Sequence, residues 1–529
     1  MSDIKTFKFD KDKFSEIRKY HFGYNWPVVY ILENGKEIYV GESTNAYNRS
    51  RQHFENPERA KLKNIHIVTD EEYNKSAALD IESLLIQYIV ADEKFVVQNG
   101  NKGLSNHNYY EREKYKAKFE LLWEKLREMQ LVDQELIQIR NSQIFKYSPY
   151  KTLTEDQVEI VKSIKKTLKN KESESFIIDG GPGTGKTILA TYLIKNLIEH
   201  DDFKHLKIGF VVPMSSLRKT IKKVFNHVKG LKSGMVIGPG DVVKEKYDLL
   251  VIDEAHRLTQ RKNITNFKTY DDTNKKLNLD KEATQLDWIL STSKYQIFFY
   301  DKNQSVRPAD IDESRFAEMD AVRFELKKQI RVKGGERYID FISNFFDLEP
   351  SECNFEDYDF QIFDKIQDMV EAIKRKDKEH KLARVVAGYA WPWKTNPKNN
   401  KNREKYDIEI DGLKLIWNST TNDWVNSKNS INEVGCIHTV QGYDLNYTGV
   451  IIGPELSYDP IKHELVIDKE KYMDINGKRS ISDPKELEKY IINIYKTLLT
   501  RGIYGTYVYV IDENLRKFLK DAAEDINFT

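Results

Sequence analysis

Gly180-Gly-Pro-Gly-Thr-Gly185-Lys186-Thr187 follows the apolar run Phe176-Ile-Ile-Asp179 and precedes the helix-like run Ile188 to Ile198. A strand, a glycine-rich turn and a helix in that order are what phosphate binding requires. Glycines let backbone N–H groups curl round an anion, a lysine reaches the β and γ phosphates, and a threonine hydroxyl takes Mg2+. Further along, Leu249-Leu-Val-Ile-Asp253-Glu254-Ala255-His256 is a second apolar run, and it ends in two carboxylates. Acids at the end of a buried strand are costly unless a cation meets them. Asp253 is expected to hold Mg2+ and Glu254 to orient or deprotonate the attacking water. Together the motifs predict ATP hydrolysis by a parallel α/β domain, with Gly180, Gly183, Gly185, Lys186 and Thr187 on the nucleotide.

Other segments fall in a fixed order around this pair. Leu153-Thr-Glu-Asp-Gln157 precedes the glycine-rich loop, and Val212-Pro-Met-Ser-Ser-Leu217 follows the next apolar run. Phe299-Tyr-Asp301-Lys-Asn-Gln304, Gln329-Ile-Arg331, His438-Thr-Val-Gln441-Gly442-Tyr-Asp444 and Leu499-Thr-Arg501 come later. The series resembles a superfamily-one helicase, most closely the compact Schlafen-like group found in bacteria. That resemblance implies that Gln157 reads adenine and that Gln304 couples the γ-phosphate to nucleic acid. It also implies that Arg331 and Arg501 contact the γ-phosphate, and that Gln441 and Gly442 belong to the late motifs of a second motor domain. Only about thirty residues separate Leu217 from Asp248, so a large inserted subdomain is missing and strand separation does not follow from the resemblance.

The chain has 529 residues, 84 lysines and arginines against 83 aspartates and glutamates, and a formal net charge of +1. A uniformly basic coat is excluded, so any nucleic-acid surface is local. Six basic residues and no acid lie between Arg218 and Lys232, and Lys374–Lys405 carries a local +8 with Tyr389, Trp391 and Trp393 interleaved. Cations alternating with aromatics suit a single-stranded polyanion. The two cysteines, Cys353 and Cys436, exclude a disulfide scaffold and a cysteine-rich zinc module. No apolar run is long enough to span a bilayer, so a cytoplasmic chain without a membrane partner is expected.

The N-terminal hundred residues carry a separate constellation. Val28-Val-Tyr30-Ile-Leu and Ile38-Tyr39-Val-Gly41 flank Asn34-Gly35, a dipeptide suited to a hairpin turn. Arg49 and His53 are four apart and share one face of a predicted helix, and Glu82 stands among apolar residues of a second. A carboxylate there is costly unless paired or metal-bound. Residues 24–102 resemble the GIY-YIG nuclease family, with Val-Val-Tyr and Tyr-Val-Gly in place of the signature triplets. The resemblance implies phosphodiester hydrolysis with one Mg2+ or Mn2+ on Glu82, Tyr30 as general base and Tyr39 as its alternate or hydrogen-bond partner. It further implies that Arg49 clamps the phosphate, that His53 positions or relays a proton, and that Asn99 completes the set.

The reading is therefore an α/β chain of four parts: a small mixed α+β GIY-YIG domain (1–106), a helical linker (107–147), and two RecA-like parallel α/β motor domains (148–332 and 333–529). The linker rests on a glycine- and proline-free stretch, Tyr109 to Gln143, that reads as one long amphipathic helix. The expected activity is ATP-dependent processing of nucleic acid, DNA before RNA, in bacterial antiviral defence. A repair nuclease, an RNA-directed enzyme and a nucleotide-driven switch with an inert N-terminal fold stand as alternatives. The sequence leaves a homo-oligomer or a defence-system partner open.

Overall fold

The computed structural model describes residues 2–100, 109–264, 266–349, 355, 357–395, 405–420, 423–479, 481 and 483–524. Cys353 and residues 396–404 of the basic stretch lie outside the described residues. The chain divides into two compact units: Met1–Asn170 with Thr187–Ile208 and Arg218–Val236, and Lys171–Lys186 with Gly209–Leu217 and Ile237–Thr529.

In the first unit, strands β1 (Asp3–Lys8), β2 (Val28–Glu33), β3 (Glu37–Ser43), β4 (Asn64–Thr69) and β5 (Val96–Val97) form one sheet in the order β1-β4-β2-β3-β5. Asn34 and Gly35 make the predicted turn: Asn34 Oδ1 accepts the amides of Lys36 at 3.0 Å and Glu37 at 2.8 Å, and Gly35 takes φ +82°. The turn fixes the register, setting Tyr30 opposite Gly41 and Leu32 opposite Tyr39. Helix α1 (Phe14–Lys19) is followed by α2 (Ala46–Phe54) and α3 (Lys75–Asp92). Asn45 and Asn74 cap the last two, accepting from Asn48 N and Ala77 N.

The single helix expected from Tyr109 to Gln143 is instead broken. Helix α4 (Arg112–Glu128) stops, and two short helices, Leu136–Asn141 and Gln143–Lys146, follow. Gln130 turns into the left-handed region at φ 56°, and the Asp92 carboxylate accepts Asp133 N at 3.0 Å and Gln134 N at 2.7 Å. Trp123, fully buried, donates Nε1–H to Gln134 O at 2.9 Å. Nor is α4 a free spacer. Phe119 and Trp123 pack on Tyr88 of α3, and Lys118 pairs with Asp70 at 2.8 Å.

The same unit takes in the helix Lys186–Glu199 from Thr187 on, together with most of the helix Ser215–Asn226. Val97 bridges Val228 in parallel, Lys229 pairs with Glu58 at 2.6 Å, and Tyr150 donates its hydroxyl to Asn99 O at 2.7 Å.

The second unit is built on two further sheets. Strands β6 (Glu174–Gly180), β7 (Ile208–Val211), β8 (Val236–Ile237), β9 (Tyr247–Ile252), β10 (Ser293–Tyr300) and β11 (Val322–Leu326) run in the order β11-β6-β10-β9-β7-β8, parallel from β11 to β9. Strands β12 (Asp359–Ile362), β13 (Ala383–Ala387), β14 (Ile408–Ile410), β15 (Leu413–Trp417), β16 (Glu433–Cys436) and β17 (Leu445–Ile452) join a later one in the other sheet. Between them come a hairpin, β18 (Leu456–Asp459) and β19 (Glu464–Ile467), and then the last strand, β20 (Gly502–Val510). The seven-stranded order is β12-β20-β17-β13-β16-β15-β14, parallel except at the β14–β15 edge. Every residue of β17 is buried, as a strand covered on both faces requires. Among the described residues no helix is long and apolar enough to cross a membrane.

Candidate active sites

The glycine-rich loop leaves the carboxyl end of β6 and opens the helix Lys186–Glu199. Gly183 and Gly185 take φ +80° and +81°, which side chains with a Cβ rarely adopt. At Gly180 a Cβ would stand 2.6 Å from Thr184 Oγ1, so the turn closes only with glycine there. Lys186 is buried and donates to Gly180 O at 2.5 Å, Gly181 O at 2.9 Å and Asp301 Oδ2 at 3.2 Å. Its ammonium is thus held where phosphate oxygens would replace carbonyls.

From Asp301 a chain of contacts runs to the second sheet of the unit. Gln304 donates to Asp301 Oδ2 at 2.6 Å, and Arg501, just before β20, donates to Gln304 Oε1 at 3.3 Å and to Tyr443 O at 3.3 Å. Arg331 lies against the loop itself: a Cβ on Gly183 would fall 2.8 Å from Arg331 Cβ, and Ile330 N donates to Gly183 O at 2.9 Å. The Arg331 guanidinium pairs with Asp444 at 2.6 Å. Lys186, Gln304 and Arg501 are therefore linked through Asp301, while Arg331 stands against the loop at Gly183 with Asp444 as its counter-charge; neither carboxylate was given a role from the sequence.

Asp253 and Glu254 follow directly on β9, with Asp253 fully buried. Glu254 takes the left-handed conformation at φ 48° and lies 2.9 Å from His256 Nε2. Burial alone would raise the Glu254 carboxyl, but the bond to His256 and the charges of His256, Lys186 and Arg501 outweigh it and hold the group below the carboxylate range. Gln441 is 1% exposed, and neither its amide oxygen nor its nitrogen has a partner among the described residues. An unpaired buried amide costs about 1–3 kcal/mol, which a ligand would relieve. Gly442 turns at φ +85° beside Met214. Gln157 and Thr187 belong to the first unit. Gln157 there accepts Thr154 N at 3.1 Å, and Thr187 stands in the first turn of its helix.

The aromatic residues of the basic stretch serve the fold instead of standing free. Tyr389 stacks on Trp417 with centroids 5.7 Å apart, and Trp391 O accepts Trp417 Nε1–H at 3.2 Å. Arg384 is likewise buried, spent on Asp377 at 2.7 Å and Val425 O.

In the first unit the sheet and α2 assemble a compact polar cluster. Tyr30 is 1% exposed, and its hydroxyl meets His53 Nε2 at 2.6 Å and Arg49 Nε at 3.4 Å. Tyr39 packs on His53 with centroids 4.9 Å apart. The phenol of Tyr30 fills the place of a side chain on the facing strand, since a Cβ on Gly41 would fall 2.2 Å from the Tyr30 oxygen. This is the physical reason for glycine at that position. Arg59, unassigned from the sequence because it lies beyond α2, joins the cluster: its guanidinium lies 3.9 Å over the Tyr39 ring and Nη1 meets His53 Nδ1 at 2.9 Å. Burial, Arg59 and Arg49 push the imidazole down to about 3, so it is neutral at physiological pH. Burial and the neighbouring Tyr39 hold the Tyr30 phenol well above its usual value, against the pull of Arg49.

Glu82 stands on α3, half-buried. Burial first, and then the charge of Glu42, raise its carboxyl to about 7. Glu42 is itself paired with Lys75. Among the described residues no group of three or more His, Cys, Asp or Glu has metal-holding geometry. A divalent ion completed by water and phosphate oxygens needs only one or two carboxylates, and Glu82 fits that role. The Asn99 amide clamps Val40, Nδ2 donating to Val40 O at 2.7 Å and Oδ1 accepting Val40 N at 3.0 Å.

A glycine-rich loop at the carboxyl end of a parallel sheet, gripped by a buried lysine and approached by two arginines, defines a P-loop ATPase motor of helicase type. The Schlafen group 3 DNA/RNA helicase domain matches residues 173–512, and the chain belongs to that family. It is similar to an uncharacterized protein of Saccharomyces cerevisiae, 27% identical over 400 residues that span 66% of this chain and 84% of the relative. Among solved structures it is similar to Mss116p bound to single-stranded RNA and AMP-PNP, 16% identical with a TM-score of 0.31, covering 70% of this chain and 74% of that one. Unliganded Pif1 from Bacteroides sp is another, 12% identical with a TM-score of 0.23, covering 43% and 56%.

Proposed function

We propose that this chain joins an ATP-driven motor on nucleic acid to a metal-dependent phosphodiesterase of GIY-YIG type, with DNA as the first substrate class. The observation that carries the nuclease half is the Tyr30 oxygen, met at once by His53 and Arg49 with Gly41 leaving room for it. Donors aimed at a phenol oxygen favour its charged form. A divalent ion on Glu82 would supply further positive charge and polarise the phosphate. Tyr30 acts as base only after its own phenolic proton has passed to solvent; the phenolate then takes the proton of the attacking water, and Arg49 faces the charge that develops on the phosphorus oxygens. In the motor, by the resemblance of its motifs, Lys186 would hold the phosphates, Thr187 and Asp253 would hold Mg2+, Glu254 would orient the water, Arg331 and Arg501 would meet the γ-phosphate and Gln157 would read the base. Gln304 couples the γ-phosphate to the bound strand, and Gln441 and Gly442, from the late motor motifs, belong to the nucleotide site.

The test is cleavage of supercoiled and single-stranded DNA in Mg2+ or Mn2+, with and without ATP, beside Glu82→Ala, Arg49→Ala and Lys186→Ala. Glu82→Ala and Arg49→Ala are expected to abolish cutting and to spare ATP turnover, and Lys186→Ala to abolish turnover. Cutting by Glu82→Ala at the parent rate refutes the metal assignment. ATPase activity stimulated by RNA and not by DNA refutes the DNA preference. From the pairing of cutter and motor we extend the proposal to bacterial defence against invading DNA, read as phage plating on cells with and without the gene.

A further inference from the structure

The His53 ring decides which way the Tyr30 proton faces, and the ring's own proton is decided elsewhere. A guanidinium has only donors, so the 2.9 Å contact from Arg59 Nη1 makes His53 Nδ1 an acceptor. The neutral imidazole then carries its hydrogen on Nε2 and donates it to Tyr30 at 2.6 Å. Arg49 Nε donates to the same oxygen at 3.4 Å. Tyr30 is left as a double acceptor, with its own hydrogen turned away from both donors and free to be exchanged. Were the tautomer reversed, Nε2 would accept and the tyrosine hydrogen would be locked on the histidine.

Arg59 is fixed for this task. Asn56 ends the turn after α2, accepting Glu58 N at 3.0 Å and Arg59 N at 3.4 Å on its side chain. Its backbone donates to His53 O at 3.1 Å, so the loop folds back over the ring. The guanidinium is then seated on the Tyr39 face at 3.9 Å, a cation–π contact that holds it beside the imidazole nitrogen. The titratable or charged groups around the ring are Tyr30 from β2, Tyr39 from β3, Arg49 from α2 and Arg59 from the loop.

We propose that Arg59 is a positioning residue that selects the Nε2–H tautomer of His53, and through it the acceptor state of the Tyr30 oxygen, an inference that rests on the nuclease reading for its catalytic meaning. The full chain, labelled with 15N-histidine and with His53 assigned by the His53→Gln difference, reports the tautomer by NMR without any turnover. The parent should show Nδ1 unprotonated, Arg59→Met should shift the population towards Nδ1–H, and Arg59→Lys, which can still donate, should restore the parent state. In cleavage assays Arg59→Met should lower kcat by about ten- to a hundredfold with KM nearly unchanged, the scale of lost orienting partners, and Arg59→Lys should recover most of it. An unchanged tautomer in Arg59→Met overturns the proposal, as does a loss of kcat that Arg59→Lys shares in full while keeping the parent tautomer. A parent chain that cuts neither DNA nor RNA overturns the nuclease reading instead, and the tautomer measurement then decides the role of Arg59 alone.

Discussion

Replacing Glu82 by glutamine in metal-free protein should stabilise α3 by an amount that grows as pH rises from the unfolded carboxylate value and levels off above neutral pH. The carboxyl is raised from 4.5 to about 7 by burial and by Glu42. A group raised on folding contributes stability that is fully present below its unfolded value and is lost as pH rises through the folded one. At about 1.4 kcal/mol per pH unit, the shift makes ionised Glu82 a cost of roughly 3 kcal/mol at pH 8 and almost none at pH 4.5. Glutamine keeps the shape without the charge and so removes that cost. The readout is amide hydrogen exchange of peptides from α3 and β3 in the full chain with chelator present, corrected for the intrinsic pH dependence of exchange. At pH 8 the variant should be protected more than the parent by up to about a hundredfold where exchange follows local opening. At pH 4.5 the two should agree. Adding Mn2+ should protect the parent and leave the variant unmoved. Equal protection of parent and variant at pH 8 would refute the claim that burial and Glu42 penalise the charged form of Glu82.

Gly41→Ala puts a methyl where the Tyr30 oxygen lies, 2.2 Å from the Cβ position. It should cost about 1–3 kcal/mol in the first unit and abolish cutting, read by thermal melting and cleavage together. Arg501→Ala should lower ATPase kcat by roughly a thousandfold while nucleotide still binds, read by turnover beside titration of a fluorescent analogue. Asp444→Asn releases Arg331 from its 2.6 Å ion pair. ATP should then bind several-fold more tightly, about 1 kcal/mol, in the same titration, and unchanged affinity would refute the competition between Asp444 and phosphate.

Features made by neighbours in the chain were legible in the sequence. The Asn34-Gly35 turn sets its own register, and the glycine-rich loop between a strand and a helix needs no distant partner. Features made by distant partners were not. No glycine or proline marks the end of α4, because the break is imposed by the Asp92 carboxylate, 41 residues before Asp133. Tyr389 and Trp391 read as free stacking surfaces until Trp417, from another strand, is seen to occupy them. Arg59 carried no signal at all: its meaning lies in a ring from β3 and a nitrogen from α2, which only the folded sheet brings within reach. The same holds for Asp301 and Asp444, whose partners Lys186 and Arg331 lie more than a hundred residues away.

The bridge between Val97 and Val228 bears on how such a protein can evolve. The strand that closes the N-terminal sheet borrows its outer neighbour from a segment 131 residues later, and Asn99, which clamps Val40 beside Gly41, takes its carbonyl partner from Tyr150. A module joined by a tether could be exchanged between genes as a cassette. This one would arrive in a new host with an open strand edge and with the strand that carries Tyr39 and Gly41 unsupported. Its lineage and that of the segment it leans on should therefore be inherited together, and grafts that end at residue 106 should lose the site along with the seam.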